Sequence, residues 1–415
     1  MFPRDIELVT PKYGGQSLVN IPSTILSCLG VKTDGRTLPN TICTQLDGAE
    51  KIILLLLDGL GYTQFLRAGG LDFFTEIEKK GMIVPLTTTF PSSTAPAITS
   101  INTGLTPQEH GLPDWYTYFR EIEMILLTLP FRPFDHKDDR RFYSSYVDPS
   151  ILFKGTTIYE RLHDEGIKSY TLMKRHISKG AFSKLAHRGS GIVPYLGMPD
   201  LVVRLRKLVE EPGSAYLHVY IDDIDAIAHE FGPGTEEYSN QLSVISYILQ
   251  REFLEKLDPD SVKNTTLIAT ADHGQVNVRP ENTLYLNRYG WLVDSFERNS
   301  RGTPILPTGG PRDVMLHIAP DMLDSIEARL RGELAGKAKV IRTSSAVQSG
   351  IFGLGEARKE FLDRIGNLLI LPTDNGMIWY EFPGERMEVR GMHGGMTEDE
   401  ILIPFMAARL ADIIR

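Results

Sequence analysis

The stretch KIILLLLDG, residues 51–59, decides the fold of this chain, because a nearly continuous apolar run ends abruptly in a carboxylate and a glycine. Such a run is typical of a strand that is buried on both faces, as in a parallel sheet. In open α/β sheets, ligands bind just beyond the carboxyl ends of the strands. Asp58 therefore stands where the chemistry of such a protein is expected.

The same pattern recurs twice further along the chain. AYLHVYI, residues 215–221, runs into three aspartates that include Asp225, and TLIATA, residues 266–271, runs into Asp272 and His273. Ordinary strand-end capping would explain any one of these carboxylates, but it does not explain all three together. The sequence predicts an α/β fold around a mostly parallel sheet, with a site at the carboxyl ends of three strands.

Asp225 and His229 are four residues apart, just after the second of these predicted strands. If the chain turns into a helix there, both side chains lie on one face and can share a metal ion. An ion pair on the helix surface is the alternative interpretation. Gly232 and Pro233 follow directly and are typical of the end of a helix.

Asp272 and His273 are adjacent, and adjacent side chains of a regular strand point to opposite faces. Both can serve one site only if the strand has already ended, and Gly274 permits such a turn. His393 lies in the glycine-rich stretch 391–395, where a lone histidine is usually an ordinary surface residue. Carboxylates and imidazoles without thiolates suit a hydrolytic site with transition metals, and His393 is the remaining ligand of that set.

The candidate nucleophiles are five hydroxyl residues between the first and second predicted strands: Ser92, Ser93, Thr94, Thr99 and Ser100. Residues 94–103 are predicted to form a short helix that ends at Gly104, with Ser92 or Ser93 as its N-cap. A helix N-terminus favours an anionic phosphoryl group, and Thr94 stands there. Metal coordination is one way to activate such a hydroxyl.

Together these segments resemble the alkaline phosphatase superfamily and, within it, the type I phosphodiesterase/nucleotide pyrophosphatase family, from about residue 13 to the C-terminus. In that family a Thr-x-Pro stands nine residues before a Thr-Gly pair, and a Pro-x-x-His-Gly follows. Here these are TAP at 94–96, TG at 103–104 and PQEHG at 107–111, a register that selects Thr94. Soluble bacterial phosphodiesterases, including those that act on cyclic dinucleotides, are the members that the chain resembles most.

The resemblance implies an alkaline phosphatase-like three-layer α/β/α sandwich around a mostly parallel sheet. Residues 1–277 and 391–415 would form the catalytic core, and residues 278–390, called the cap segment below, would form a smaller α/β insertion over the site. Two divalent metal ions are implied, with Zn²⁺ favoured and Mn²⁺ as the alternative. One would be held by Asp58, Thr94, Asp272 and His273, and the other by Asp225, His229 and His393.

The implied activity is that of a metal-dependent phosphoric diester hydrolase with a phosphothreonine intermediate on Thr94. Nucleotide-type diesters such as cyclic or linear dinucleotides are the expected substrates. The alternatives are a phosphonate (phosphonoacetate-type) or phosphomonoester hydrolase that uses the same site, and a catalytically inactive binding protein with this fold. A sulfatase is disfavoured, because TAPAI at 94–98 has neither the cysteine or serine nor the arginine that sulfatases need.

The chain departs from the family at one position of the site. Eukaryotic members carry an asparagine a few residues after His-Gly that contacts a phosphoryl oxygen, and here Trp115 stands near that position. Stabilisation of that oxygen would then come from the backbone N–H groups around Thr94, from the metal ions or from another residue. Trp115 and Tyr116 are candidates for stacking on a nucleobase, and local packing is the alternative.

Composition restricts the partners. The 415 residues are 42% hydrophobic and 23% charged, as in ordinary globular proteins, and the net charge of −9 argues against a nucleic-acid polymer as partner. Cys28 and Cys43 are too few for a disulfide framework. Residues 1–7 contain no apolar signal region, and no apolar run reaches membrane-spanning length. A cytoplasmic protein that acts on a small phosphodiester is expected.

Overall fold

The computed structural model describes residues 8–134, 147–382 and 387–414. Residues 1–7, in which no signal region is predicted, lie outside the described residues. The strands of the described ranges are β1 (Lys51–Leu57), β2 (Met82–Thr87), β3 (Tyr116–Phe119), β4 (Met124–Leu127), β5 (Arg132–Pro133), β6 (Lys168–Lys174), β7 (Gly191–Tyr195), β8 (Ala215–Ile221), β9 (Thr265–Thr270), β10 (Val276–Asn277), β11 (Leu284–Tyr285), β12 (Val314–Leu316), β13 (Ala338–Arg342), β14 (Leu368–Pro372), β15 (Ile378–Trp379), β16 (Gly391–Met392) and β17 (Leu402–Arg409).

Helices connect most of the strands of the central sheet. In the same ranges the α-helices are α1 (Asn20–Cys28), α2 (Asn40–Cys43), α3 (Tyr62–Ala68), α4 (Asp72–Lys80), α5 (Thr94–Thr103), α6 (Pro107–His110), α7 (Ile158–Asp164), α8 (Ala181–Ala186), α9 (Met198–Glu210), α10 (Asp223–Phe231), α11 (Glu236–Ile248), α12 (Gly290–Val293), α13 (Leu323–Glu333), α14 (Thr343–Gln348), α15 (Lys359–Arg364), α16 (Glu398–Ile401) and α17 (Leu410–Ile413). Among the described residues, none of the helices combines the length and the apolar character needed to cross a membrane.

The central sheet has seven strands in the described residues, in the order β2-β17-β9-β1-β8-β6-β7. β1 pairs in parallel with β8 on one side and β9 on the other. The parallel arrangement continues through β6 to β7. β17 runs antiparallel to both of its neighbours, β2 and β9. The predicted α/β class with a mostly parallel sheet is confirmed.

The position of β1 explains its apolar sequence. All seven of its residues are buried, and the side chains of both faces join the main hydrophobic core. Each buried leucine or isoleucine contributes roughly 1.5–3 kcal/mol. Because β9, β1 and β8 are adjacent, the three chain segments that follow them meet at one edge of the sheet.

The cap segment contains a sheet and a core of its own. β12, β14 and β13 form an antiparallel three-stranded sheet, and the buried Trp379 belongs to the second hydrophobic cluster that packs there. β10 and β16 pair with each other, so that Val276 stands opposite Met392. The chain thus enters and leaves the cap segment through neighbouring strands, although the division at 278 and 390 stays a prediction.

Several element boundaries differ from those that the sequence predicts. The apolar stripe through Tyr238, Leu242, Ile245, Leu249 and Phe253 predicts a helix over residues 236–257. In the structure this helix is regular to residue 248 and then continues through a π-helical turn and a 3₁₀ turn to residue 256. Pro320 suits a first helical position and predicts a helix over residues 320–334, but the helix spans 323–333 with Met322 as its N-cap. The sequence DVMLHI at 313–318 predicts a strand, which in the structure is limited to 314–316. None of these shifts moves a predicted ligand.

Candidate active site

Three predicted carboxylates converge at the edge formed by β9, β1 and β8. Asp58 directly follows β1, Asp272 follows β9 after one residue, and Asp225 lies in the first turn of α10. The Gly59 N–H donates to Asp272 Oδ1 at 3.1 Å. Gly59 has a φ of 76°, and a Cβ on it would lie 2.9 Å from the Asp225 Cα. A residue without a side chain is therefore required where these segments approach each other.

His273 lies at the centre of the cluster. Its Nε2 is 3.5 Å from Asp58 Oδ1 and 3.4 Å from Asp272 Oδ2. The same nitrogen is 3.0 Å from Thr94 Oγ1. β9 ends at Thr270, so Asp272 and His273 do not follow the alternation of a strand and can serve one site. The donor atoms of Asp58, Asp272 and His273 all lie within 4.8 Å of one another and form the first ligand group.

A second ligand group shares His273 with the first. The donor atoms of Asp225, His273 and His393 lie within 4.8 Å of one another. His229 Nε2 is 3.4 Å from Asp225 Oδ1, so the helical spacing presents both side chains to the same point. The rings of His273 and His393 are stacked, with 3.7 Å between their centroids. The seven predicted ligands are thus brought together, while the division of them between two ions stays a prediction.

Backbone carbonyls orient all three imidazoles. His229 Nδ1 donates to the Gly391 oxygen at 2.8 Å, His273 Nδ1 to the Gly274 oxygen at 3.2 Å and His393 Nδ1 to the Ser92 oxygen at 3.0 Å. With the proton on Nδ1, each ring directs the lone pair of Nε2 into the cluster. Metal-binding histidines are held in this way, by a hydrogen bond from the second ring nitrogen.

The electrostatics of the cluster fit divalent cations. The pKa of Asp58 is raised well above its usual range, mainly by burial and further by the negative charges of Asp272 and Asp225. Burial, followed by the neighbouring His273 and His229, lowers the pKa of His393 well below its usual range, so this imidazole is neutral. Asp58 Oδ1 and Asp272 Oδ2 are buried and have no hydrogen-bond partner within the described residues. Unpaired carboxylate oxygens beside imidazole nitrogens are a donor set that suits Zn²⁺ or Mn²⁺.

The loop that carries His393 is fixed by a buried ion pair. Arg312 donates to both carboxylate oxygens of Glu400 at 2.9 and 2.8 Å, and both side chains are fully buried. Glu400 in turn accepts the Gly395 N–H at 2.9 Å. Ser92 Oγ donates to the Gly395 carbonyl at 2.8 Å. The cap segment therefore helps to position a ligand that belongs to the core.

Thr94 is the first residue of α5, and Ser93 is the N-cap, although its side chain makes no capping hydrogen bond. The first helical bond runs from the Ala97 N–H to the Ser93 carbonyl at 3.1 Å. The N–H groups of Thr94 and Ala95 precede this bond and have no partner in the helical ladder, as in the first turn of any helix, and Pro96 has no N–H. They are available to an anionic group at the Thr94 hydroxyl.

Two pockets meet at Thr94. A pocket of about 450 Å³ extends toward Ile98 and Phe182, and a pocket of about 370 Å³ extends toward the cap segment. Trp115 lines both pockets and is 37% exposed, so its ring is available to a substrate. Tyr116 lines the smaller pocket only, and its ring packs against Trp379 with 5.1 Å between centroids. The predicted stacking role of Trp115 and Tyr116 stays a prediction.

Sequence reasoning missed two side chains that hold the ligands. The Tyr220 hydroxyl donates to Asp58 Oδ2, and the Gln275 amide donates to Asp225 Oδ1. Both residues stand next to predicted ligand segments, Tyr220 near the end of β8 and Gln275 just after Gly274. The position of Tyr220 one residue before the end of β8 was the available signal, but its partner is 162 residues away in the chain.

Replacing Tyr220 with phenylalanine is expected to weaken metal binding by the first ligand group by about 10–100-fold, the usual effect of losing a side chain that orients a ligand. The fold should be unaffected, because the ring is kept. Tyr216→Phe is the matched control on the same strand, since the Tyr216 hydroxyl has no hydrogen-bond partner among the described residues. Metal titration of both variants checks this prediction, and equal affinities would contradict it.

The fold and the site define an α/β protein with two overlapping groups of side chains that could hold metal ions, beside a threonine at a helix N-terminus. The sequence profile of the type I phosphodiesterase/nucleotide pyrophosphatase family matches residues 52–396. The chain belongs to this family.

Two relatives illustrate the relationship. The chain is 24% identical over 244 residues to human ectonucleotide pyrophosphatase/phosphodiesterase family member 1, a match that covers 57% of this chain and 25% of that protein. It is 23% identical over 264 residues to an uncharacterized pyrophosphatase/phosphodiesterase of Schizosaccharomyces pombe, a match that covers 59% of this chain and 47% of that protein. The chain thus spans about a quarter to a half of the length of these relatives.

Solved structures of ectonucleotide pyrophosphatase/phosphodiesterase 5 share the fold. The human protein superposes with a TM-score of 0.61 at 17% identity, covering 86% of this chain and 87% of that chain. An inactive threonine-to-alanine variant of the murine protein, in complex with AMP, gives the same TM-score, identity and coverage. At this identity the likeness shows the fold alone, and it confirms the predicted alkaline phosphatase-like architecture.

Proposed function

We propose that this protein is a metal-dependent phosphodiester hydrolase in which the Thr94 hydroxyl is the nucleophile. One observation carries the proposal: Thr94 Oγ1 lies at the N-terminus of α5 and 3.0 Å from Nε2 of His273, the histidine that the two ligand groups share. A hydroxyl in this position is adjacent to the cations and to the helix N–H groups that hold a phosphoryl group.

The chain's own groups perform two displacements at phosphorus. In the first, the Thr94 hydroxyl gives up its proton to solvent, the bond from Thr94 Oγ1 to phosphorus forms and the bond from phosphorus to the leaving oxygen breaks. The leaving oxygen takes up a proton, and a phosphothreonine ester remains. In the second, water gives up a proton as its oxygen bonds to phosphorus, and the bond from phosphorus to Thr94 Oγ1 breaks. Thr94 Oγ1 takes up a proton, which restores the hydroxyl and releases the phosphate monoester. The N–H groups of Thr94 and Ala95 hold the non-bridging oxygens during both steps. Two divalent cations, when bound, lower the pKa of the attacking hydroxyl and stabilise the leaving oxygen.

The two pockets support a diester as substrate. A phosphodiester has a substituent on each side of phosphorus, and the pockets of about 450 and 370 Å³ both begin at Thr94. In the described part of the chain no arginine or lysine lines the smaller pocket, so a terminal dianionic phosphate would find no such partner there, whereas Arg132 lines the larger pocket. The murine relative was solved with AMP, which supports a nucleotide as one half of the substrate.

Bis(p-nitrophenyl) phosphate is therefore expected to exceed p-nitrophenyl phosphate in kcat/KM by at least about tenfold, or roughly 1.4 kcal/mol of transition-state stabilisation. Both esters release the same leaving group, so the comparison under one metal loading isolates the second substituent. Linear and cyclic dinucleotides extend the panel. A clear preference for the monoester or for phosphonoacetate would reject the diester assignment, and absence of all turnover would favour a binding protein.

A further inference from the structure

A further cleft lies where the chain enters and leaves the cap segment. It has a volume of about 650 Å³, and its lining includes the cationic side chains of Arg279, Lys337 and Arg390. Arg279 stands two residues after β10, Arg390 directly precedes β16, and Lys337 directly precedes β13. This cavity, called the basic cleft below, therefore brings together cations from three distant parts of the sequence.

The charge of the basic cleft is opposite to that of the whole chain. Its three cationic side chains are exposed, and none of them forms an ion pair or a side-chain hydrogen bond with another described residue. Asp374 is the acidic side chain among the described residues that line the cleft. The lining thus has a net positive charge on a chain of net charge −9. A surface of this kind attracts small anions.

The other lining residues indicate the class of anion. The side chains of Asn277, Asn282 and Asn375 provide amide N–H groups, and Leu284 and Ile378 provide apolar surface. The planar fork of an arginine matches the oxygens of a phosphate group, and a lysine adds a compact positive charge. The volume is that of a site for a small molecule. A small organic phosphate ester fits this combination of charge, amide donors and apolar surface.

One wall of the basic cleft holds a member of the candidate metal site. The Arg390 N–H donates to the His229 carbonyl at 2.7 Å, and the Arg390 carbonyl accepts the Val278 N–H at 2.8 Å. The carbonyl of the next residue, Gly391, accepts His229 Nδ1–H at 2.8 Å. An anion that restrains Arg390 therefore also restrains the backbone that positions His229.

The opposite wall is connected to His393. The turn after β14 is closed by the Gly376 N–H, which donates to the Thr373 carbonyl at 3.1 Å, and the Thr373 N–H donates to the Lys337 carbonyl at 2.9 Å. Arg312 Nη1 donates to the Gly376 carbonyl at 2.6 Å. Through its buried ion pair, this arginine also holds the loop of His393. Each wall of the cleft is thus linked to one imidazole of the candidate metal site.

We propose that the basic cleft binds a small phosphate ester and thereby strengthens metal binding by Asp225, His229 and His393. A bound anion bridges the two walls and restricts the motion of both imidazoles, so that less conformational freedom is lost when the metal ion binds. The anion site is independent of the proposed function, whereas its effect rests on the metal site of that function. The alternative is that the three cations are only solvated.

Calorimetry with fructose 1,6-bisphosphate tests the anion site, because this molecule carries two phosphate monoesters and no diester for the proposed reaction to cleave. Fructose is the uncharged control. Arg279→Ala and Lys337→Ala should each raise the Kd of the bisphosphate about 10–100-fold, the effect of losing a hydrogen bond to a charged group. Lys339→Ala is the matched control and should leave this Kd unchanged, since Lys339 is exposed on β13 but does not line the cleft in the described part of the chain.

Two results of this titration would overturn the proposal. Absence of binding to wild type would show that the cations are only solvated. A Kd that neither Arg279→Ala nor Lys337→Ala changes would place the bisphosphate elsewhere, at the metal ions or on the open surface.

Metal titrations test the effect on the candidate metal site. Saturating bisphosphate should lower the Kd of the metal ion by at least about fivefold, and the metal ion should lower the Kd of the bisphosphate by the same factor, because coupling between two sites is reciprocal. The double variant Arg279→Ala/Lys337→Ala should lose this response, and it corrects for chelation of free metal ions by the bisphosphate. An equal response in wild type and the double variant would overturn the proposed coupling.

Neither titration requires turnover, so the outcome for the basic cleft is separate from that for the proposed nucleophile. If Thr94→Ala retained turnover, the assignment of Thr94 would fail, while both titrations would still decide the role of the cleft.

Discussion

Replacing Thr94 with alanine is expected to lower kcat by at least about 10³-fold while leaving metal content and Tm close to those of wild type. The substitution removes the attacking oxygen, whereas the carboxylate and imidazole donors of both ligand groups remain. Thr94 is 8% exposed and loses only a small part of its side chain, so little packing is lost. Release of p-nitrophenol from the diester, together with metal analysis and thermal unfolding, checks the prediction.

Neighbouring hydroxyls provide the controls. Thr94→Ser should keep appreciable activity, because a primary hydroxyl in the same place can still attack. Thr89→Ala should be active, since Thr89 Oγ1 is committed to the Pro91 carbonyl at 3.0 Å. Ser93→Ala should also be active, because it keeps the Thr94 hydroxyl, although it removes the hydrogen bond from the Ser93 side chain to the Asp114 carboxyl group. Loss of activity in either of these two with full activity in Thr94→Ala would show that the nucleophile is assigned to the wrong residue.

Replacing His273 with alanine is expected to abolish turnover, also by at least about 10³-fold, and to reduce the binding of both cations. His273 belongs to both ligand groups, so one substitution removes a donor from each. His229→Ala should weaken metal binding by the second ligand group only, because His229 Nε2 is 3.4 Å from Asp225 Oδ1. Metal stoichiometry after dialysis, measured for both variants, distinguishes these outcomes.

His110 supplies the matched control for the loss of an imidazole. It is buried like His273, but its ring nitrogens bond to the Ser100 hydroxyl at 3.2 Å and the Leu112 N–H at 3.1 Å. His110→Ala should lower Tm and leave the metal stoichiometry at the wild-type value. If His273→Ala bound as many metal ions as wild type, His273 would not be a metal ligand.

Much of the candidate site can be predicted from local patterns in the sequence. The run 51–57 predicts a strand buried on both faces, and a strand of this kind ends where Asp58 stands. The spacing of Asp225 and His229 predicts one helical face, and α10 presents both side chains to the same point. The helix from Thr94 to Thr103 begins and ends as its residues predict, with Gly104 in the left-handed conformation at its end. Each of these features depends on residues within a few positions of one another.

The sequence by itself therefore determined the α/β class, the family and the identity of the seven candidate ligands. Only the tertiary structure decided that His273 serves both ligand groups, that Tyr220 and Gln275 hold two of the carboxylates, and that three cationic side chains line the basic cleft. Strand ends and helix spacing are set by backbone geometry over short stretches, which a sequence displays directly. Contacts between residues such as Asp58 and Tyr220, 162 positions apart, depend on which strands become neighbours and on how the cap segment packs. That order is fixed by burial of the whole core, to which every apolar segment of the chain contributes.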